Sequence, residues 1–223
     1  RAREDFVGAF AHELKTPLTS IIGYADALRS RRLDEEKQFM SANYIYTEGK
    51  RLEAMSFRLL DIMVTRRGEV EFTMVSAESL FLYLYDMYVI NKSMKIYFNY
   101  DDGMVRAEAS LIKSVLMNLL DNAFKASEAD GLIEVYGHLM KDGYCFEVKD
   151  HGVGIPKEEL HKITKAFYMV DKSRSRSRNG AGLGLALCAE TLELHKSRLN
   201  IRSELGKGTT KSFTLPLWKE DQL

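Results

Sequence analysis

A histidine near the start of the chain is the first residue whose type and surroundings indicate chemistry. From Val7 to Leu28, apolar residues recur at alternating steps of three and four, which predicts a helix with a heptad seam. His12 falls opposite that seam, so its imidazole is expected to face solvent, with Glu13 beside it and Thr16 one turn later on the same face. A neighbouring carboxylate can hold one ring nitrogen protonated and leave the other free to react. His12 is therefore either a nucleophile or an ordinary surface histidine.

Two asparagines form the second candidate. Asn118 and Asn122 are spaced i, i+4 on a strongly apolar helix predicted from Ala109 to Ser127, so they share one face. Amide oxygens are neutral ligands that Mg²⁺ accepts alongside phosphates and water. The pair could serve a metal bound to phosphates, or the two amides could simply be capped or bonded to solvent.

A glycine cluster with a carboxylate is the third candidate. It reads Asp150-His-Gly152-Val-Gly154-Ile-Pro and follows a predicted strand. Glycines let a backbone approach a ligand closely, and a carboxylate can accept a hydrogen bond from an exocyclic amine. Without other evidence, the segment could be only a turn.

A second glycine cluster, Gly180-Ala-Gly182-Leu183-Gly184-Leu, opens a predicted helix whose free amides favour phosphate oxygens. It is neither a Walker loop nor the dinucleotide fingerprint. Just before it, the segment 167–179 is too polar to pack and is expected to be mobile. Its cations could neutralise phosphates or form a solvated charge run; they are Lys172, Arg174, Arg176 and Arg178.

The elements that must position these residues differ between the two ends of the chain. After a polar break at 30–33, Asp34 is expected to cap a second helix whose apolar stripe runs to Ile62. Two such helices form a hairpin, and one hairpin cannot bury both stripes. Pairing of two hairpins in a dimeric four-helix bundle is therefore predicted.

Beyond Arg66, short strands alternate with helices, which predicts a second domain with an α+β layered fold. Strands are predicted at 70–74, 95–100, 132–138, 144–149, 199–203 and 210–215, and helices at 76–91, 109–127 and 183–195. We therefore expect a helical hairpin at 1–66 and an α+β domain at 67–223.

Composition excludes several classes of protein. The 32 lysines and arginines equal the 32 aspartates and glutamates, so no overall charge indicates binding to nucleic acid or an anionic membrane. The two cysteines, Cys145 and Cys188, fit neither a zinc site nor a redox pair. No apolar run approaches the roughly 20 residues that span a bilayer, so the chain as given is expected to be soluble.

Taken together, the motifs resemble those of the sensor histidine kinases of two-component systems. Residues 6–24 resemble the phosphoacceptor box, 118–125 the N box, 150–156 and 180–185 the two glycine boxes, and 206–210 the closing hairpin turn. The blocks follow the family's order and cover almost the whole chain. The resemblance implies a HisKA-type dimerisation and phosphoacceptor domain, followed by a HATPase_c domain with the two-layer Bergerat (GHKL) ATP-binding fold.

The resemblance also implies roles in binding ATP and Mg²⁺. Asn122 would ligate Mg²⁺, Lys125 would contact phosphate, and Asp150 would read the adenine amino group. Phe167 matches the F box, and the cationic segment matches the ATP lid. The other residues expected at the nucleotide site are Asn118, Gly152, Gly154, Lys172, Arg174, Gly180, Gly182, Leu183, Gly184 and Thr209. Ala126 departs from the family's frequent aromatic residue near the adenine, and Lys196-Ser197 departs from its usual glycine-rich turn.

The implied activity is ATP-dependent autophosphorylation of His12, assisted by Glu13, followed by transfer to an aspartate of a response regulator. Thr16 would position water for dephosphorylating that regulator. The expected assembly is a homodimer. This portion of the protein is expected in the cytoplasm, with a membrane-anchored sensor segment preceding it in the chain. The alternatives are a GHKL-type ATPase clamp, which the phosphoacceptor box disfavours, and a catalytically degenerate dimeric scaffold.

Overall fold

The structure is a computed structural model that describes residues 2–66, 70–90, 95–128, 131–166, 168 and 183–219. Within the helices, the side chains of residues 2–13, 50, 51, 53–66 and 90 are not described. The side chains of His12 and Glu13 therefore lie outside the description. Nearly all of segment 167–179 lies outside the described ranges. Five more predicted site residues also lie outside them: Phe167, Lys172, Arg174, Gly180 and Gly182.

The first part of the chain is the predicted helical hairpin. Helix α1 spans Ala2–Ser30 and continues through Pro17, and helix α2 spans Glu35–Arg66. The backbone N–H of Lys37 donates to Asp34 Oδ1 at 2.9 Å, which confirms Asp34 as the cap of α2. None of the described helices is long and apolar enough to cross a membrane.

In the described residues, the second part of the chain contains strands and three further helices. In chain order they are β1 (Thr73–Ser76), α3 (Ala77–Tyr85) with a π-helical turn (Asp86–Ile90), β2 (Ile96–Tyr100), β3 (Met104–Ala107), α4 (Ala109–Ala126), β4 (Ile133–Met140), β5 (Gly143–Asp150), α5 (Gly184–Leu194), β6 (Asn200–Glu204) and β7 (Gly208–Leu215). The division of the chain at residue 66 stays a prediction.

Five strands form one sheet in the order β2-β4-β5-β7-β6, in which β2 and β4 are parallel and the other neighbours antiparallel. The helices cover one face, where α4 buries an apolar stripe against the sheet. A chain of stacked rings joins α3 to the sheet, with centroids of Phe81 and Phe146 5.7 Å apart and those of Phe146 and Phe213 5.2 Å apart. This α/β domain confirms the layered fold class.

The sequence prediction missed one strand and misplaced another. Strand β3 was not predicted, and β1 begins at Thr73 rather than at Val70. Each strand has only four residues, too few for alternation to show, and they form a separate antiparallel pair that joins Thr73 to Ala107. By contrast, Ser76 caps α3 as expected, with its Oγ accepting from the N–H of Ser79 at 3.4 Å.

A buried histidine ties α5 to the start of α4. His195 is 2% exposed, its Nδ1 donates to the Thr191 carbonyl at 2.7 Å, and its Nε2 accepts from the N–H of Glu108 at 3.1 Å. A ring that accepts at Nε2 is neutral. Burial lowers the pKa of His195 below its ordinary value, so the folded protein resists protonation at this site.

This lowered pKa predicts a stability loss in acid. Because the unfolded chain binds the proton more readily, the free energy of unfolding should fall as the pH drops from about 7.5 to about 5.5. The fall should be shallower in His195→Gln. Urea unfolding at the two pH values measures it, with the exposed His161→Gln as control. Equal slopes for wild type and His195→Gln would contradict the prediction.

Candidate functional site

Asp150 is the buried polar centre of the site. It ends β5, is 2% exposed, and its Oδ1 accepts hydrogen bonds from the backbone N–H groups of Gly152 at 3.1 Å and Thr209 at 3.2 Å. Its Oδ2 is also buried but accepts no hydrogen bond from any described residue. Buried polar atoms are normally bonded, so this oxygen is suited to accept a donor from a ligand.

Lys211, which sequence reasoning missed, lies next to that oxygen. Its Nζ is 3.6 Å from Asp150 Oδ2, and the side chain is 4% exposed. Burial lowers the pKa of Lys211, and the negative charge of Asp150 opposes this effect. A lysine at an inward-facing position between Thr209 and Phe213 of β7 is the signal that could have found it.

The first glycine cluster packs against the end of α4. The N–H of Val153 donates to the Ala126 carbonyl at 3.1 Å, and a Cβ added to Gly152 would lie 2.2 Å from the same oxygen. Gly154 has φ +67°, a left-handed conformation that suits glycine. The cluster therefore packs closely between the sheet and α4, and it places Asp150 near the C-terminal end of α4.

Thr209 holds Asp150 through its backbone. Its hydroxyl forms a hydrogen bond with the Ser203 hydroxyl at 2.8 Å, and it is 3% exposed. Ser203 Oγ also accepts from the N–H of Ile155 at 2.8 Å. These bonds link the last hairpin to the first glycine cluster and orient the carboxylate.

The structure brings both asparagines to the start of α5. The amide nitrogen of Asn118 donates to the Ser114 carbonyl at 3.0 Å. Its Oδ1 faces Gly184, because a Cβ added there would lie 2.9 Å from this oxygen and 3.9 Å from Asn122 Nδ2. The N box and the described end of the second glycine box therefore meet at one place, which we call the asparagine cleft.

The remaining described site residues lie as follows. Lys125 is in the last turn of α4, and Leu183, 1% exposed, precedes α5 and packs in the core. A buried Leu183 can present only its backbone to a ligand. Thr16 lies on α1 with an exposed side chain.

A tight contact at Gly184 leads to a prediction. In Gly184→Ala the new methyl group would push the Asn118 amide aside, so affinity for Mg-ADP should fall by about tenfold, or roughly 1.4 kcal/mol. Calorimetric titration measures it. Gly49→Ala, whose Cβ would meet nothing within 4 Å, is the matched control. Unchanged affinity in Gly184→Ala would show that the asparagine cleft is not used.

The donors present fit a metal that shares its coordination with phosphates. Within the described ranges, no group of three or more His, Cys, Asp or Glu side chains could hold a metal ion. The side-chain amides of Asn118 and Asn122, which lie beside Gly184, can supply neutral oxygen ligands to an Mg²⁺ that keeps phosphate and water ligands.

Two family models match the chain. The model of the His Kinase A (phospho-acceptor) domain matches residues 2–63. The model of the histidine kinase-, DNA gyrase B- and HSP90-like ATPase matches residues 107–219. Both implied parts are therefore present in the predicted order.

Known proteins show the same likeness. Sensor histidine kinases WalK and YclK of Bacillus subtilis (strain 168) are 31% and 29% identical over 99% and 100% of this chain, which spans 37% and 48% of their respective lengths. The structure of histidine kinase ThkA in complex with response regulator protein TrrA shares the fold, with a TM-score of 0.77 at 23% identity over 98% of this chain and 64% of that chain. With both family models matched in order, the protein belongs to the sensor histidine kinases of two-component systems.

Proposed function

We propose that the chain is a kinase core that binds Mg-ATP and phosphorylates its own His12. The observation that carries this proposal is the buried Oδ2 of Asp150, which accepts no hydrogen bond from the described residues and lies in a site joined to the asparagine cleft through Ala126 and Val153. Asp150, as an acceptor for a base, and the asparagine cleft, as a site for phosphates and metal, are thereby connected through adjacent residues. This is the arrangement that a nucleoside triphosphate requires.

The chain's residues would divide the work by chemistry. Asp150 accepts a hydrogen bond from the adenine amino group, Asn122 with Asn118 holds Mg²⁺, and Lys125 attracts phosphate. The bound Mg²⁺ would offset charge on the phosphates. The lid cations Lys172 and Arg174, together with the phosphate-binding glycines 180 and 182, stay predictions, as does a contact with Phe167.

The transfer step uses the N-terminal helix. The unprotonated ring nitrogen of His12 attacks the γ-phosphorus of ATP, the P–N bond forms as the bond to the ADP oxygen breaks, and ADP leaves. Glu13 orients the imidazole or accepts its proton. The product is a phosphohistidine that can donate to an aspartate.

A response regulator is the proposed acceptor. The neighbour ThkA was crystallised with a response regulator, and the same helical hairpin is present here. We infer transfer from His12 to a regulator aspartate. Anchorage of a longer protein in the cell membrane stays a prediction.

A homodimer is proposed from the hairpin's exposed apolar side chains. In the single chain Ile22 is 60% exposed, Phe39 74% and Tyr46 66%. Large apolar side chains exposed on a helical hairpin indicate a binding surface. Pairing with a second hairpin would cover part of this surface, and light scattering would measure the resulting mass.

Acid-labile labelling tests the proposed function. Incubated with γ-labelled ATP and Mg²⁺, the wild-type chain should acquire label that acid removes, and His12→Gln should acquire none. The exposed His161→Gln should label normally. Label retained in His12→Gln would reject the assignment, and ATP binding without any label would favour an ATPase clamp.

Substitution of Thr16 should separate autophosphorylation of the chain from dephosphorylation of the regulator. Thr16→Ala should retain autophosphorylation within about twofold, because its hydroxyl lies one helical turn from His12 and takes no part in the transfer. Dephosphorylation of the phosphorylated regulator should fall by about tenfold or more, since water would no longer be positioned. Release of phosphate from purified phosphoregulator measures it. Equal loss of both activities would reject a separate role.

A further inference from the structure

Lys211 and Asp150 form a buried ion pair in which the described residues leave Asp150 Oδ2 without a hydrogen bond. The atoms Nζ and Oδ2 are 3.6 Å apart, which is close enough for strong attraction but too long for a hydrogen bond. The side chains are 4% and 1% exposed, so little water screens the pair. The positive charge therefore stabilises the carboxylate without occupying the lone pairs of Oδ2.

The groups around the carboxylate are two hydrogen-bond donors and one cationic side chain. Two backbone N–H groups donate to Oδ1, from Gly152 and Thr209, and the ammonium of Lys211 lies beside Oδ2. An ionised carboxylate can only accept hydrogen bonds. A buried carboxyl without a cation tends to become neutral, and it can then donate as well as accept.

We propose that Lys211 is a specificity-determining positioning residue that keeps Asp150 an obligate acceptor, so that the pocket selects a nucleotide whose base presents an amino group over one that presents a carbonyl. The inference rests on the proposed nucleotide-binding function and deepens it. An amino group of the base donates a hydrogen bond to Asp150 Oδ2. A carbonyl oxygen at the same place would be repelled by the carboxylate, because both groups only accept. A site built to receive a donor strongly rejects the analogue that lacks it.

Lys211 acts through Asp150, and this gives the proposal a sharp test. Without the lysine, a protonated Asp150 could donate to a carbonyl, and the penalty for the wrong base would shrink. Substitution of the lysine should thus change the ratio of two affinities, whereas general damage to the pocket would lower both affinities together.

The experiment compares ADP with inosine diphosphate, which carries a carbonyl in place of the adenine amino group. Both are titrated with Mg²⁺ into the whole chain by calorimetry. Wild type should prefer ADP, and in Lys211→Met the ratio of the two Kd values should fall by at least about tenfold. Lys211→Arg, which keeps the charge, should retain most of the preference. The matched control is Lys207→Met, an exposed lysine of the same hairpin, 71% exposed and paired with Glu204 at 2.6 Å.

A double-mutant cycle separates an action through Asp150 from an independent one. In an Asp150→Asn background, Lys211→Met should leave the ratio unchanged, because the carboxylate that the lysine controls is gone. Thermal unfolding of every variant establishes that the comparison is made on folded protein. A further large change of the ratio in this background would overturn the proposal.

The outcomes distinguish the two levels of inference. Failure of wild type to bind either nucleotide would reject the proposed function and this inference with it. Preference for ADP with the same ratio in Lys211→Met would overturn only the role of Lys211. Equal affinity of wild type for both nucleotides would also overturn the role of Lys211, while leaving the proposed nucleotide binding intact.

Discussion

Asn122→Ala should abolish phosphorylation of the chain from Mg-ATP, lowering labelling by more than about a hundredfold. The substitution removes the amide oxygen proposed to ligate Mg²⁺. The side chain projects into the cleft beside Gly184, so the α4 core should stay intact. Labelling with γ-labelled ATP measures the effect, and light scattering should give the wild-type mass.

Asn200→Ala is the matched control, because Asn200 is exposed on β6 and lies outside the cleft. Titration of ADP with and without Mg²⁺ then shows whether the metal is involved. In wild type Mg²⁺ should strengthen binding, and in Asn122→Ala this gain should disappear. Retained labelling, or a retained gain from Mg²⁺, would refute the assignment of Asn122 as a ligand.

Gly152→Ala should eliminate measurable nucleotide binding and destabilise the α/β domain by about 1–3 kcal/mol, the usual cost of overpacking. The new Cβ would lie 2.2 Å from the Ala126 carbonyl oxygen and 2.5 Å from its carbon. Backbone atoms at the end of a helix cannot turn aside as a side chain can. The loop must therefore move, and it carries the N–H that orients Asp150 Oδ1.

Urea unfolding and titration with ADP measure the two effects of Gly152→Ala. Gly23→Ala is the control, because Gly23 lies on α1 and a Cβ added there would meet nothing within 4 Å. In a helix interior that exchange should leave nucleotide binding unchanged and add up to about 1 kcal/mol of stability. Wild-type stability and affinity in Gly152→Ala would show that the loop does not pack as closely as described.

Most helices and their starts were predictable because they depend on residues within one or two turns. Asp34 and Ser76 cap the helices that follow them, and the apolar stripe of α4 is buried as its period indicates. Strand β3 was not predictable in this way. Its pairing from Thr73 to Ala107 spans α3 and β2, so the strand is defined by a distant partner.

For the site, the chemical types can be read from the residues: a carboxylate with glycines, a pair of amides on one helical face, and a histidine opposite a seam. Which of them meet depends on the folded chain, which places Gly184 against Asn118 and Lys211 against Asp150. The alternation of β7 indicates that Lys211 faces inward, but it does not identify what lies opposite. The neighbour of an inward side chain is set by how sheet and helices pack, which depends on contacts between segments far apart in the chain.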